Sequence, residues 1–319
     1  MQTIRNVIGI VIMVTALVSS AEAGAEKKIG IFTFHEEVRY TVAQQTILHE
    51  LRNAGYSEPA AQYTIENAQG SKARAAEIIR KFAAANFDLI ITVGASATVP
   101  LTREIKEVPV VFTMVFDPIG TGVAADWKSS GNNTTGVSSR VPAARIAETL
   151  KAFAPVKRLA VIYTPGQINS EIQFMEVKKI EAESRIRIIP IILNNKEEID
   201  KALSEVIRTV DALYLTGSTV VGETIPVIVD MANKANVITI THLDDLVEKG
   251  ALLGVCPDSR SVSSLAGKKA VQVLKGAKPS SIPIDIGKNL DIMLNMKTVK
   301  AGRFQVPPAF MKKVTETIE

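Results

Sequence analysis

Short apolar runs alternate along this chain with longer segments whose apolar residues recur at helical spacing. The runs at residues 29–34, 89–93, 159–163, 186–193, 212–215, 237–240 and 252–255 are bounded by turn residues. Runs this short predict strands covered on both faces, as in a parallel sheet. Between them, Tyr40, Ala43, Ile47, Leu48 and Leu51 share one helix face, which ends at Asn53-Ala54-Gly55, with Gly55 suited to a left-handed cap. Residues 61–66 read as a more polar, edge-like strand, and Ser71 caps a helix with Ala75, Ile78, Ile79 and Phe82 inward. Residues 88–118 hold a strand, a turn of small residues at 94–98, a helix, and a strand ending at Asp117-Pro118. A β–α repeat of this kind predicts a doubly wound parallel sheet with right-handed crossovers.

Residues 120–140, rich in Gly, Ser, Thr and Asn, break the rhythm and read as a loop, a short strand and a link between lobes. A second β–α series follows. Its helices carry Ala143, Ile146, Leu150 and Phe153, then Ile199, Leu203, Val206 and Ile207, then Ile225, Ile228, Val229 and Ala232. A helix over residues 262–274 comes next. The tail from residue 284 shows two short apolar runs and predicts a final amphipathic helix that starts no earlier than Pro307-Pro308. Two α/β series joined by short links predict two lobes with a cleft between them. Ligands of such sheets bind beyond the carboxyl ends of the strands.

The first residues narrow the setting. Arg5 precedes an apolar run at residues 7–18, and Ala-x-Ala sites follow at 21–23 and 23–25. This pattern predicts a secretory signal peptide over residues 1–25, cleaved near Ala23 or Ala25. The run falls short of the ~20 apolar residues of a membrane span. Cys256 is the single cysteine, so no internal disulfide or thiolate metal cluster exists, which fits a periplasmic protein. With three histidines (His35, His49 and His242) and no paired His motif, no metal site is expected. The net charge of +4 is spread without aromatic-basic interleaving, so no nucleic-acid partner is inferred.

The strand ends supply the candidate chemistry: His35; Ser96, Ala97 and Thr98; Asp117; Gln167, Asn169 and Ser170; Ser218 and Thr219; and His242 with Asp244 nearby. Hydroxyls, amides and two carboxylates hydrogen-bond well but do not make a catalytic set. Free N–H groups of the 94–98 turn at a helix N-terminus attract a carboxylate, and Asp117 would hold a cation, so together they suit a zwitterion. The plainer alternative is that Ser96 or Thr98 caps the helix and Asp117 opens a turn. Gly-Ala-Ser-Ala-Thr at 94–98 also has the strand–turn–helix setting of a nucleophile elbow, with His242 later in the chain. Thr98 stands where that elbow has Gly, and no Asp–His pair stands out, so a serine hydrolase is the weaker alternative. Residues 120–125 formally match a dinucleotide fingerprint but open no helix of adequate length.

In sequence order, the blocks DLIITVGASAT, VPVVFTMVFDPIGTG, NNTTGVSS, YTPGQINS, DDLVEKGAL and LNMKTVKAGRFQVPPAFMKK resemble those of a known family. It is the extracytoplasmic solute-binding proteins of ABC importers, in the tryptophan/tyrosine-binding group. The resemblance covers essentially the chain beyond residue 25. It implies a type I periplasmic-binding-protein fold, with two doubly wound parallel-sheet lobes joined by three crossings. Lobe 1 would hold residues 27–138, 259–284 and part of 285–319, and lobe 2 residues 139–258, with the remaining tail crossing between lobes. It further implies no enzymatic activity and no cofactor. An amino acid or similar small solute would bind between the lobes, for delivery to an ABC permease and its ATPase, and the membrane would be met only through the permease. Family positions matching Ser96–Thr98 and Asn169-Ser170 hold the ligand's carboxylate side, and Asp117 would face its amine. The chain departs from the family at Gly217-Ser218 and His242-Leu243, which points away from the standard aromatic amino-acid pocket. At that point His242 is open between contacting the ligand and capping its loop. A ligand sensor for a membrane receptor is the alternative role.

Overall fold

A computed structural model of the chain describes residues 26–319, so the expected signal peptide lies outside the described residues. The first half winds as β1 (Lys27–Thr33), α1 (Val38–Asn53), β2 (Ala61–Asn67), α2 (Lys72–Ala84), β3 (Leu89–Val93), α3 (Ala95–Glu104), β4 (Val110–Val115) and β5 (Thr134–Ser138). The second comprises α4 (Ala143–Phe153), β6 (Arg158–Tyr163), α5 (Ile168–Lys178), α6 (Ile180–Ser184), β7 (Arg187–Ile192), α7 (Ile199–Val206), β8 (Ala212–Leu215), α8 (Thr219–Ala235), β9 (Ile238–Thr241), α9 (Asp244–Glu248) and β10 (Leu253–Pro257). The chain then forms α10 (Ser259–Leu274), β11 (Asp285–Ile286), β12 (Leu290–Asn295), α11 (Met296–Gly302), α12 (Pro308–Met311) and β13 (Glu316–Ile318).

Two sheets result. One runs β11-β5-β4-β3-β1-β2 and is wholly parallel. The other runs β13-β12-β10-β9-β8-β6-β7 and is parallel except for the β10–β12 pair. Both faces of each sheet are covered, which explains the unbroken apolar runs. In the first sheet Ile29, Ile31, Leu89 and Ile91 pack toward α1 and α10. Their neighbours Phe32 and Ile90 pack toward α2 and α3. In the second, Leu159, Val161 and Tyr214 face α4 and α5, while Ala160, Ile162 and Leu213 face α7 and α8.

The chain passes between the sheets three times: after β5, between β10 and α10, and between β11 and β12. These passages are tied to one another. The Gly287 N–H donates to the Ser138 carbonyl (3.0 Å) and the Asp258 N–H to the Asn289 carbonyl (3.1 Å). In the tail, β11 joins the first sheet, while β12, β13 and α11 pack on the second. The expected closing helix is a correction. Pro308 does open a helix, but α12 is a single turn and the chain ends in β13, paired with β12. Residues 316–318 are held as a strand by a partner, not by an apolar pattern of their own.

Gly136 marks how closely β5 approaches β4. A Cβ there would lie 2.2 Å from the Phe112 carbonyl oxygen. Gly136→Ala should therefore cost about 2 kcal/mol or more through overpacking against backbone that cannot move aside. A urea unfolding curve would show it as a lowered midpoint, and an unchanged midpoint would contradict this reading of the sheet.

Candidate ligand-binding cleft

The carboxyl ends of both sheets face one cleft of ≈ 1550 Å³. The first lobe lines it with Phe34, His35, Arg39, Tyr40, Ala95, Ser96, Met114 and Phe116, and the second with Gln167, Asn169, Gln173, Ser218, Thr219, His242, Asp244 and Asp245. Three helices start at its walls. Gly94, with φ +81°, turns the chain from β3 into α3, and a side chain there would strike the Tyr40 hydroxyl at 2.5 Å. The first N–H groups of α3, at residues 95–97, have no protein partner among the described residues, and neither do those of α5 at residues 168–170. The α8 end is closed instead: Ser218 Oγ accepts from the Val221 N–H (3.0 Å) and Gln167 Oε1 from the Thr219 N–H (2.9 Å). The open N-termini of α3 and α5, one from each lobe, thus present unpaired donors and the positive ends of two helix dipoles.

His35, Ser96, Gln167, Asn169, Ser218, Thr219 and His242 all line this cleft. Asn169 Oδ1 is buried with no hydrogen-bond partner among the described residues. Ala97, Thr98, Asp117 and Ser170 are not among the lining residues. Ala97 and Thr98 point into the first lobe. Thr98 Oγ1 donates to the Gly94 carbonyl (2.8 Å) and also meets Thr92 Oγ1 (2.8 Å). Neither Ser96 nor Thr98 caps α3, whose N-cap is Gly94. Asp117 is spent on its own turn, where Oδ1 accepts from the Ile119 and Gly120 N–H groups (3.0 and 2.9 Å), with Arg140 3.8 Å from Oδ2. Ser170 is fully buried: its Oγ accepts from the Thr164 N–H (3.0 Å) and pairs with Thr216 Oγ1 (2.6 Å), tying the ends of β6 and β8.

Sequence reasoning missed the charged cluster at the cleft wall. Arg39, from α1 of the first lobe, pairs with Glu37 beside it and donates from Nη1 to Asp245 Oδ1 of α9 in the second lobe (2.8 Å), with Asp244 at 3.9 Å. Its guanidinium also lies 5.1 Å from the centroid of the Tyr40 ring. Burial works against the Arg39 charge, yet the surrounding Tyr40, Asp245 and Glu37 raise its pKa. Burial likewise pushes the Glu37 carboxyl up, but His35 and Arg39 outweigh it and hold the group below its ordinary value. Asp244 behaves oppositely. Burial, reinforced by Asp245, exceeds what Arg39 supplies and raises the pKa of this cleft carboxylate. No signal along the chain joins Arg39 to Asp245; their pairing exists only once the lobes face each other.

His242 is 3% exposed. Its Nδ1 lies 2.6 Å from the Tyr214 hydroxyl, their rings are stacked at 7°, and Phe116 of the first lobe meets it edge-on at 5.0 Å. Burial, with the Arg39 charge adding, pulls its pKa down to about 3, so the ring is neutral. With Tyr214 rather than a carboxylate behind it, the histidine arm of a serine triad is not assembled. Among the described residues no cluster of His, Cys, Asp and Glu would hold a metal, and no helix is long and apolar enough to cross a membrane.

Two parallel sheets facing across a cleft, three passages between them and polar helix ends lining the gap define a type I periplasmic-binding fold built to enclose a small ligand. The chain belongs to the ABC transporter substrate binding protein family, whose model matches residues 28–318. It is a substrate-binding protein of an ABC transporter, from a family that binds solutes rather than transforming them. It is 24% identical over 278 residues to the tyrosine-binding protein of Clostridioides difficile (strain R20291), covering 86% of this chain and 81% of that one. Among solved structures it resembles an ABC domain from Streptococcus pneumonia in complex with L-Trp (TM-score 0.84, 25% identity, 92% of this chain and 100% of that one). It also resembles a conserved domain protein from Vibrio cholerae (TM-score 0.83, 24% identity, 91% and 99%).

Arg39→Met would leave Glu37 and Asp245 without their guanidinium. A loss of about 3 kcal/mol at pH 7 is expected, as for one partner removed from a buried pair. Glu37 is held below its ordinary value, so its share of the stability is complete above about pH 4.3 and is lost as pH falls through the folded pKa. The gap between wild type and variant, read by thermal melts across pH 3–7, should narrow on the acid side. A gap independent of pH would contradict the assigned pairing.

Proposed function

We propose that this protein captures an amino acid between its lobes outside the cytoplasm and hands it to a membrane permease driven by a cytoplasmic ATPase. The observation that carries this reading is that two helix N-termini with unpaired N–H groups open onto one cleft from opposite lobes, beside the unpartnered Asn169 Oδ1. The α3 and α5 N-termini, with Ser96, hold the carboxylate, and Asn169 Oδ1, an acceptor, takes an N–H of the ligand. Asp244 takes the ammonium, because it lines the cleft, whereas Asp117 is occupied by its own turn and Arg140. Gln167, Ser218 and Thr219 shape the second wall, and His35 flanks Tyr40 at a ring-centroid distance of 5.4 Å. Flat apolar surface from Phe34, Tyr40, Met114 and Phe116 suits an aromatic side chain, in keeping with the tyrosine and L-Trp named for the two relatives.

A ligand that touches both lobes favours their closed arrangement and shifts the population toward it. Export rests on residues 1–25 acting as a cleaved signal peptide, which places the protein in the periplasm. The role of permease partner rests on the family.

A thermal-melt screen of residues 26–319 against the amino acids tests the cargo. A ligand at about 100 times its dissociation constant adds about 2.7 kcal/mol of stability. Asn169→Ala should weaken the ligand found about tenfold by removing one hydrogen bond of the recognition set. Failure of every amino acid to raise the melt would overturn the zwitterion assignment.

A further inference from the structure

Tyr214 and His242 form a buried polar pair on the second lobe, and the fold leaves only one way to satisfy it. Tyr214 is fully buried, and its hydroxyl has a single hydrogen-bond partner among the described residues, His242 Nδ1 at 2.6 Å. If Nδ1 carried the proton, the tyrosine O–H would have no acceptor within a core of Val161, Ile240 and Val255. An unpaired buried donor is a costly arrangement, so the tyrosine donates and Nδ1 accepts. The ring is neutral, and its proton therefore sits on Nε2. That atom has no protein partner among the described residues, although the side chain is 97% buried (3% exposed) and lines the cleft. The stacking on Tyr214 and the edge contact with Phe116 fix the plane in which it points.

The position of this donor follows from the sheet. His242 follows β9 and Asn169 follows β6, with β8 between them in the strand order β9-β8-β6. Two strand spacings of about 4.8 Å put the two groups about 10 Å apart across the lobe. An aromatic amino acid whose carboxylate lies at the α5 N-terminus spans that distance with its ring, bringing the far end of the side chain toward Nε2.

We propose that His242 Nε2–H is the specificity-determining donor of the cleft, that Tyr214 is the positioning residue that fixes it, and that it reads an oxygen acceptor at the distal end of the ligand's side chain. This rests on the reading of the cleft as an amino-acid site. A donor held this way favours a ligand bearing a distal oxygen over one that ends in a hydrocarbon ring, because the latter leaves Nε2–H buried and unpaired.

Two measurements test it. The first needs no ligand: long-range ¹H–¹⁵N spectra of the protein labelled at histidine, with His242→Gln identifying the resonance. A protonated Nε2 and an unprotonated Nδ1 in the wild type, giving way to mixed tautomers in Tyr214→Phe, support the positioning role. The opposite tautomer in the wild type, or an unchanged spectrum in Tyr214→Phe, overturns it. The second is calorimetric titration with L-tyrosine and L-phenylalanine, which differ by one hydroxyl. L-Tyrosine should bind at least about tenfold tighter, and His242→Phe should abolish the difference between the two ligands. Equal binding of both by the wild type overturns the donor and leaves the amino-acid cleft standing. Binding of neither overturns the cleft reading and with it the donor's role in recognition, while the ¹⁵N spectra still decide the tautomer.

Discussion

In a parallel β–α sheet every helix begins at the edge where its strand ends, so unpaired N–H groups and dipole ends of one sign collect along a single rim. Two such rims face each other here, and the rest of the site depends on that. The N-termini of α3 and α5 present unpaired N–H groups from opposite lobes, and the loops after β4, β8 and β9 deliver Phe116, Ser218 and His242 into the same space. The same winding puts Ser96 at a helix start, while His242 is backed by a tyrosine rather than a carboxylate.

The lobes are joined by more than the three passages. Arg39 reaches from α1 to Asp245 on α9, a charged contact in a partly dry setting that depends on the separation of the two sheets. Glu37 and Tyr40 hold the guanidinium from the first lobe, so the cation is pre-placed and the second lobe brings the carboxylates. A ligand ammonium beside Asp244 would add positive charge to this cluster.

Much of this was legible in the chain. Strands buried on both faces leave unbroken apolar runs, and amphipathic helices such as α2 leave a stripe, so the two β–α series follow from pattern alone. The tail resisted because β13 owes its conformation to pairing with β12, not to its own residues. Within the site, strand-end position points to Ser96, Asn169 and His242, and these three line the cleft. It does not report orientation, so Thr98, which turns inward onto Thr92 of β3, and Ser170, which ties β6 to β8, looked the same in sequence, as did Asp117, which serves its own turn. Arg39 was hidden because its partner lies 206 residues away. Tyr40 and Tyr214 read as core positions, which they are, but their hydroxyls also serve the cleft wall and His242.

The central claim is that a small zwitterion bound between the lobes draws them together. Small-angle X-ray scattering of residues 26–319, with and without a saturating amino acid that raises the thermal melt, tests it most directly. The radius of gyration should be smaller in the bound state, with the maximum dimension contracting as the cleft closes. A ligand that binds at one equivalent yet leaves both dimensions unchanged would contradict it.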